Sequence, residues 1–228
     1  MLRAPCPNCG AEIVFRSDRL PVVVCEFCRS SVLRDGDALS VMGIAATVPE
    51  TITPLQLGST GSFDGAGFEL IGRARWRWEQ DGSTAGGWTE WLALFADGRH
   101  GWLAEAMGRY MMTMPVLPLP DDAIVAAVAN GGRVIPGVLA ELGGTNYRIT
   151  DARAAFAVGS DGELPFAVAA GETLFSVDLA NGAGGVASVQ KHGPDVTAWA
   201  GRAVTLQELA PRNLRDLEGW PLPEWARA

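Results

Sequence analysis

The sequence predicts a mainly β protein, in which an N-terminal zinc ribbon is followed by two small antiparallel β-barrel or curved-sheet domains. Three observations support this fold class. Two Cys-x-x-Cys pairs lie near the N-terminus, apolar and polar residues alternate along much of the remaining chain, and glycine-containing turns separate the alternating segments. With 228 residues, the chain is long enough for a ribbon and one or two further domains.

The four cysteines of the chain predict a metal site. Cys6 and Cys9 form the first pair and Cys25 and Cys28 the second, with fifteen residues between the pairs. Two such pairs can place four thiolates in a tetrahedron around one zinc ion. Because four protein sulfurs leave no coordination position for a substrate, we expect a structural Zn²⁺ that folds a segment too short to bury its own core.

Two other roles for the cysteines fit the sequence less well. Disulfides require an oxidising compartment, and the N-terminal residues show no apolar signal segment. A redox Cys-x-x-Cys is normally a single pair beside a βαβ pattern, which this region lacks. We therefore expect a cytoplasmic protein, and no stretch of the sequence is apolar for long enough to predict a transmembrane helix.

Six segments are predicted along the chain. Repeated strand patterns indicate two β domains, separated by a connector that is stiffened by prolines. The two β domains begin with similar glycine-rich stretches, which leaves an internal repeat open. The segments are a zinc ribbon at 1–35, a linker at 36–57, the first β domain at 58–115, the connector with a short helix at 116–132, the second β domain at 133–210 and a Pro/Trp-rich tail at 211–228.

Local patterns predict the elements within these segments. The connector is expected to hold a helix that ends near Val128 and is capped by Asp121 or Asp122. In the second β domain, Asp161-Gly162 reads as a turn between short strands. Those strands are predicted at 147–150, 154–158 and 164–169.

Composition and charge exclude some functions. Hydrophobic residues make up 48% and charged residues 19% of the chain, as in a folded globular protein. The net charge is −8, and the acidic excess lies after the ribbon, which argues against nucleic-acid binding. His100 and His192 fall in predicted turns without a nucleophile nearby, and no phosphate-binding glycine motif follows a strand. We therefore expect no enzymatic activity.

Arginine and tryptophan residues define a candidate interaction surface. Strand alternation places Arg73, Arg75 and Arg77 on one face of a strand and Trp76 and Trp78 on the other. The arginines could bind an anionic ligand or an acidic partner, or they could form a solvated outer face paired with acidic residues. The tryptophans could fill the core or line a groove. Trp88 and Trp91 of the next strand complete the candidate surface.

Eight stretches of the chain carry a resemblance to known proteins: 3–12, 25–31, 54–58, 68–78, 88–91, 95–99, 101–105 and 162–166. Together they resemble the zinc-ribbon branch of a bacterial family known as domain of unknown function 4178. The resemblance implies no catalytic residues, and the cysteines are the only site residues that it brings. Members often occur near polyamine-related enzymes and envelope-stress components, so it implies an accessory role beside such machinery.

These observations favour a non-catalytic zinc-binding adaptor that acts through protein–protein contacts. A first alternative is a β-barrel sensor that binds a small molecule such as a polyamine, since tryptophans and acidic groups suit an organic cation. A second alternative is a nucleic-acid-binding zinc ribbon, which the acidic charge disfavours. The terminal aromatic segment, 220–225, is expected either to fold back onto an aromatic groove or to contact another protein.

Overall fold

The computed structural model describes residues 1–49, 51–219, 221 and 223–226. The described residues are mainly β, as predicted. One α-helix, α1 (Ala123–Ala129), and one 3-10 turn (Glu224–Ala226) accompany the strands. The strands are β1 (Leu2–Pro5), β2 (Glu12–Phe15), β3 (Val22–Val24), β4 (Ser30–Asp35), β5 (Ala38–Ile44), β6 (Thr60–Phe63), β7 (Ala66–Gln80), β8 (Ser83–Phe95), β9 (His100–Ala106), β10 (Arg109–Pro115), β11 (Leu139–Leu142), β12 (Thr145–Leu164), β13 (Thr173–Ala180), β14 (Gly185–His192) and β15 (Asp195–Val204).

Eight strands close into one antiparallel barrel. Their order is β7-β8-β9-β10-β15-β14-β13-β12, and β12 pairs with β7 to complete the circle. The two segments predicted as separate β domains each supply four of these strands, so they are halves of one barrel. The physical reason is that four strands alone would leave two unpaired edges, whereas the β10–β15 and β12–β7 pairings remove both.

The long strand β12 replaces the three short strands predicted in this region. It runs from Thr145 to Leu164 and pairs in turn with β11, β13, β7 and β3. Asp161-Gly162, predicted as a turn, lies inside the strand, because both residues pair with β7. Residues 165–169 are not a strand. Instead, Phe166 and Val168 pack into the barrel interior.

The predicted ribbon is continuous with the barrel. Strands β1 and β2 form a hairpin, while β3, β4 and β5 form a small antiparallel sheet. β3 also pairs with the end of β12, and Leu20 of the ribbon packs into the barrel's interior core. β5 lies in the segment predicted as a linker, where it extends the ribbon sheet as an edge strand.

Three apolar clusters hold the barrel together. One fills part of the interior with Trp76, Leu92, Trp102, Trp199 and neighbouring residues. A second lies outside β7–β10, and a third packs the helix α1 against the outer side of the second half of the barrel.

The helix α1 confirms the helix predicted in the connector. Asp122 occupies its N-cap position but makes no capping hydrogen bond. The Asp122 carboxylate instead accepts a hydrogen bond from the backbone N–H of Gly143 at 2.7 Å. In the described part of the chain, no helix has the length and apolar character needed to cross a membrane.

Two glycines face each other where the barrel closes. Gly72 of β7 and Gly162 of β12 are direct partners in the β7–β12 pairing. A Cβ atom on Gly72 would lie 1.8 Å from the carbonyl oxygen of Glu163. A Cβ atom on Gly162, where φ is +73°, would lie 2.2 Å from the carbonyl oxygen of Ile71. Closure of the barrel therefore needs glycine at both positions.

We predict that Gly72→Ala destabilises the protein by about 3 kcal/mol or more, because the added methyl group overlaps the backbone of β12. Urea unfolding followed by fluorescence measures the change. Gly67→Ala is the matched control on the same strand, since its Cβ would come no closer than 3.9 Å to a neighbouring atom. Equal stabilities for the two variants would contradict the steric account of this position.

Candidate functional site

The first candidate site is the cluster of four cysteines. All four Sγ atoms lie within 4.8 Å of one another, with Cys6 and Cys28 separated by 3.7 Å and Cys9 and Cys25 by 3.8 Å. A tetrahedral thiolate site with metal–sulfur bonds of about 2.3 Å has sulfur–sulfur edges of about 3.8 Å. The four thiols therefore fit a tetrahedral metal ion, and the structure brings together the set that the spacing predicted.

Two similar backbone turns position these sulfurs. The carbonyl oxygen of Cys6 accepts a hydrogen bond from the N–H of Gly10, and that of Cys25 accepts one from Arg29, both at 2.9 Å. Gly10 has a φ of 78° and Arg29 a φ of 63°. Each turn needs the left-handed conformation directly after its second cysteine, and the second turn uses an arginine where glycine would be favoured.

Arg29 links the second cysteine turn to the barrel. Its guanidinium forms an ion pair with Asp161 of β12 and donates hydrogen bonds to the carbonyl oxygens of Ala46 and Ser160, each at 2.7 Å. Asp161 also accepts a hydrogen bond from Arg73 of β7 at 2.7 Å. One carboxylate thus joins the ribbon to both strands that close the barrel.

The second candidate site is a cavity inside the barrel. It has a volume of about 1020 Å³, at the upper end of the range usual for small-molecule sites. All eight barrel strands contribute to its wall, and the interior apolar cluster fills the rest of the barrel. Tryptophans dominate the aromatic part of the lining: Trp78, Trp88, Trp102, Trp199 and Trp225.

Glu90 is the most buried carboxyl group of the cavity wall. Its side chain is 5% exposed and accepts hydrogen bonds from Trp76 Nε1 at 2.9 Å, Trp88 Nε1 at 3.2 Å and Gln190 Nε2 at 2.8 Å. Burial raises the pKa of Glu90, while these three donors oppose the rise. The carboxyl group is thus fixed in place at the inner part of the cavity.

A second acidic group lies on the wall formed by β12 and β13. Asp151 and Asp178 are direct cross-strand partners, so like charges face each other. Burial raises the pKa of Asp178 to about 6, and the nearby charges of Asp151 and Glu90 add to the rise. Arg153 forms an ion pair with Asp151 and lies 4.0 Å from the ring centre of Trp78. The Asp178 carboxylate accepts a hydrogen bond from the hydroxyl group of Ser176, with 3.3 Å between Oγ and Oδ1.

The cavity mouth lies at the end of the barrel away from the ribbon. Met107 and Gly108, in the turn between β9 and β10, border it together with residues 205–207. Trp225 also lines it and is 37% exposed. Part of the terminal aromatic segment therefore folds back onto an aromatic site, one of the two outcomes expected from the sequence, while Trp220 and Leu222 lie outside the described residues.

The structure separates the candidate interaction surface into three locations. Arg73, Arg75 and Arg77 lie on the outer face of the barrel, where they pair with Asp161, Thr89 and Glu79 respectively. Trp76, Trp78 and Trp88 face the barrel interior. Trp91 is fully buried in the outer apolar cluster and donates a hydrogen bond to Glu105. These residues share no continuous surface.

Both histidines lie beside the interior aromatic cluster. His100 packs edge-on against Trp199, and burial lowers its pKa. His192 packs against Phe166 with ring centres 4.7 Å apart, and its Nε2 lies 3.1 Å from a carboxylate oxygen of Glu172. The sequence placed both histidines in exposed turns, whereas the structure places them against the aromatic core.

Sequence reasoning missed the polar lining of the cavity. Ser176 and Asp178 alternate with Val177 and Leu179 along β13. This pattern is typical of a strand with one solvated face. In the barrel, the helix layer covers the apolar face and the polar face points inward. Alternation therefore identified residues that share a face but did not indicate which face was enclosed.

Comparison with known proteins identifies the family of the barrel. A family model described as "Domain of unknown function (DUF4178)" matches residues 56–206. The chain belongs to this family. The match covers β6 through β15, which includes all eight strands of the barrel. It begins after the cysteine cluster. Neither the curated proteins nor the solved structures gave a match.

We predict that Asp178→Asn stabilises the protein at neutral pH and loses this advantage in acid. The folded-state pKa of about 6 lies above the ordinary value of 3.8. As pH rises from 3.8 to about 6, ionisation of Asp178 therefore lowers the free energy of unfolding of the wild type more and more. Above about pH 6 this loss of stability stays constant. Below pH 3.8 the aspartic acid is protonated in both states, so its contribution disappears.

Thermal unfolding between pH 4 and pH 8 checks this prediction. Asp37→Asn, in the exposed turn between β4 and β5, reports the general effect of removing one negative charge. An Asp178→Asn advantage that is equal at all pH values, or that grows in acid, would rule out a raised pKa at this site.

Proposed function

We propose that this protein is a non-catalytic binding protein whose barrel holds a small organic molecule and whose ribbon carries a structural zinc ion. The observation that carries the proposal is the large aromatic cavity, which opens at one end of the barrel while apolar side chains fill the other end. Enclosed sites with mainly apolar walls and a few fixed polar groups are typical of small-molecule binding. Glu90, Asp178 and Gln190 supply such polar groups here.

The proposal departs from the adaptor that the sequence favoured and takes up its first alternative. The change rests on the position of the tryptophans. Trp78 and Trp88 line the cavity wall, so they are available to a molecule inside the barrel. They are not available to a protein that contacts the outer surface of the barrel.

An apolar fluorescent probe tests the binding function. We expect N-phenyl-1-naphthylamine to bind with enhanced fluorescence and to quench the cavity tryptophans. Ala104→Phe should weaken this binding at least tenfold, because Ala104 lines the cavity and the larger side chain occupies its volume. Ala154→Phe is the matched control, since Ala154 is an exposed residue of β12. Absence of probe binding, or equal binding by both variants, would refute the proposed function.

Zinc is the proposed occupant of the cysteine cluster. Cys6, Cys9, Cys25 and Cys28 would hold it, because four thiolates at tetrahedral spacing suit a soft divalent ion. A metal with four sulfur ligands stabilises the local fold and has no open position for catalysis. Free thiols held for a metal also suit a reducing compartment such as the cytoplasm.

Metal analysis of the purified protein checks the zinc assignment. We predict one zinc ion per chain, and loss of most of this zinc in Cys25→Ser, because a hydroxyl group is a poor replacement for a thiolate ligand. Glu26→Ala is the control: this exposed residue lies between Cys25 and Cys28 and should leave the zinc content unchanged. Another metal at full occupancy, or equal zinc content in Cys25→Ser and wild type, would contradict the assignment.

An adaptor function is the second candidate, and one observation favours it. β5 pairs only with β4 among the described strands, so its other edge is free, and Val41, Met42 and Ile44 on this strand are exposed. Phe27 of the nearby metal-binding turn is 76% exposed. An extended segment of a partner protein could add to this edge. A partner that co-purifies in equal amount with the wild type and is lost in Met42→Lys would support this function.

A further inference from the structure

We propose that the barrel cavity selects an organic cation and binds its ammonium group between Asp178 and Gln190, against the cavity tryptophans. This inference rests on the proposed binding function and assigns the chemical class of the ligand.

The charged groups of the cavity leave an acidic side chain without a cationic partner. The lining carries Glu90, Asp151 and Asp178 as acids, with Arg153 and Arg109 as bases. Arg153 is paired with Asp151, and Arg109 lies at the exposed mouth. In the described part of the chain, Asp178 forms no ion pair. Arg153 lies near enough to lower the pKa of Asp178, but it is already paired with Asp151. Enclosed negative charge in excess of the nearby positive charge is costly, and a bound cation would balance it.

The hydrogen-bonding atoms of the cavity also favour a ligand that donates. The Gln190 side chain is 8% exposed, and its amide nitrogen donates to Glu90. Within the described residues, no donor reaches the Gln190 amide oxygen or the Oδ2 atom of Asp178. Both atoms are acceptors, and an ammonium group offers three donors and no acceptor. A carboxylate or phosphate ligand would bring further acceptors to these positions.

The aromatic walls provide further interactions for a cation. The guanidinium of Arg153 already lies over Trp78, which shows that the wall accommodates positive charge against an indole ring. Trp88, Trp102 and Trp199 also line the cavity, and no arginine or lysine lies over their rings in the described chain. Indole faces attract ammonium groups, most strongly where water is excluded. The cavity therefore combines an excess of negative charge, free acceptors and the partly exposed indole ring of Trp88.

Three ligands of equal length test the inference. They are 1,8-diaminooctane, 1,8-octanediol and octanedioate, each titrated at pH 8 against the bound fluorescent probe and by calorimetry. We expect the diamine to displace the probe at least tenfold more effectively than the diol, and the dianion to be the weakest. Equal displacement by diamine and diol, while the probe itself still binds, would overturn the cation inference and leave the proposed function intact. Failure of the probe to bind would overturn both.

Asp178→Asn tests the anchoring residue. This substitution keeps the side-chain shape and removes the charge, so the diamine should bind about tenfold more weakly while probe and diol are unaffected. Retained probe binding shows that the variant is folded. Asp37→Asn, far along the chain in an exposed turn, is the matched charge control and should bind the diamine like the wild type. Unchanged diamine affinity in Asp178→Asn would overturn the assignment of this anchor.

Discussion

The pairing of β12 with β7 is the contact through which the barrel closes and the ribbon is attached. The two strands meet at Gly72 and Gly162, where no side chain fits between the backbones. The residues of β12 on either side of Gly162 contact the ribbon. Asp161 forms ion pairs with Arg29 of the ribbon and Arg73 of β7, and Glu163 accepts hydrogen bonds from the backbone N–H groups of the two residues that follow β2. The Asp161 side chain is 13% exposed, so solvent screens these two ion pairs only in part.

This arrangement explains why the cavity lies at one end of the barrel. Leu20 of the ribbon, together with Phe166 and Val168 after β12, packs into the interior at the end where the ribbon is attached. The other end holds smaller or polar inward-facing residues such as Ser176 and Ser188, which leave space. Acidic groups enclosed there reduce stability, as the raised pKa of Asp178 indicates. Binding sites commonly retain polar groups at such a cost.

Local patterns in the sequence predicted local structure well, and long-range pairing poorly. The cysteine spacing identified the cluster because both turns are short and depend on adjacent residues. The antiparallel strands of the two β segments and the helix α1 followed from turn residues and periodicity. Closure of one barrel could not be derived, because it depends on pairing between residues such as Gly72 and Gly162 that are far apart in sequence. The polar lining of the cavity was missed for the same reason: only closure turns the polar faces of β13 and β14 inward.

Hydrogen exchange with and without the proposed zinc ion is the measurement that shows whether ribbon and barrel form one unit. Chelation should release the turn that carries Arg29, and with it the ion pair to Asp161. The account predicts that amide protection then falls in the ribbon and also at 159–164 of β12 and 71–77 of β7, and that it returns when zinc is restored. Loss of protection confined to residues 1–35 would show that the barrel closes independently of the ribbon and would contradict the account.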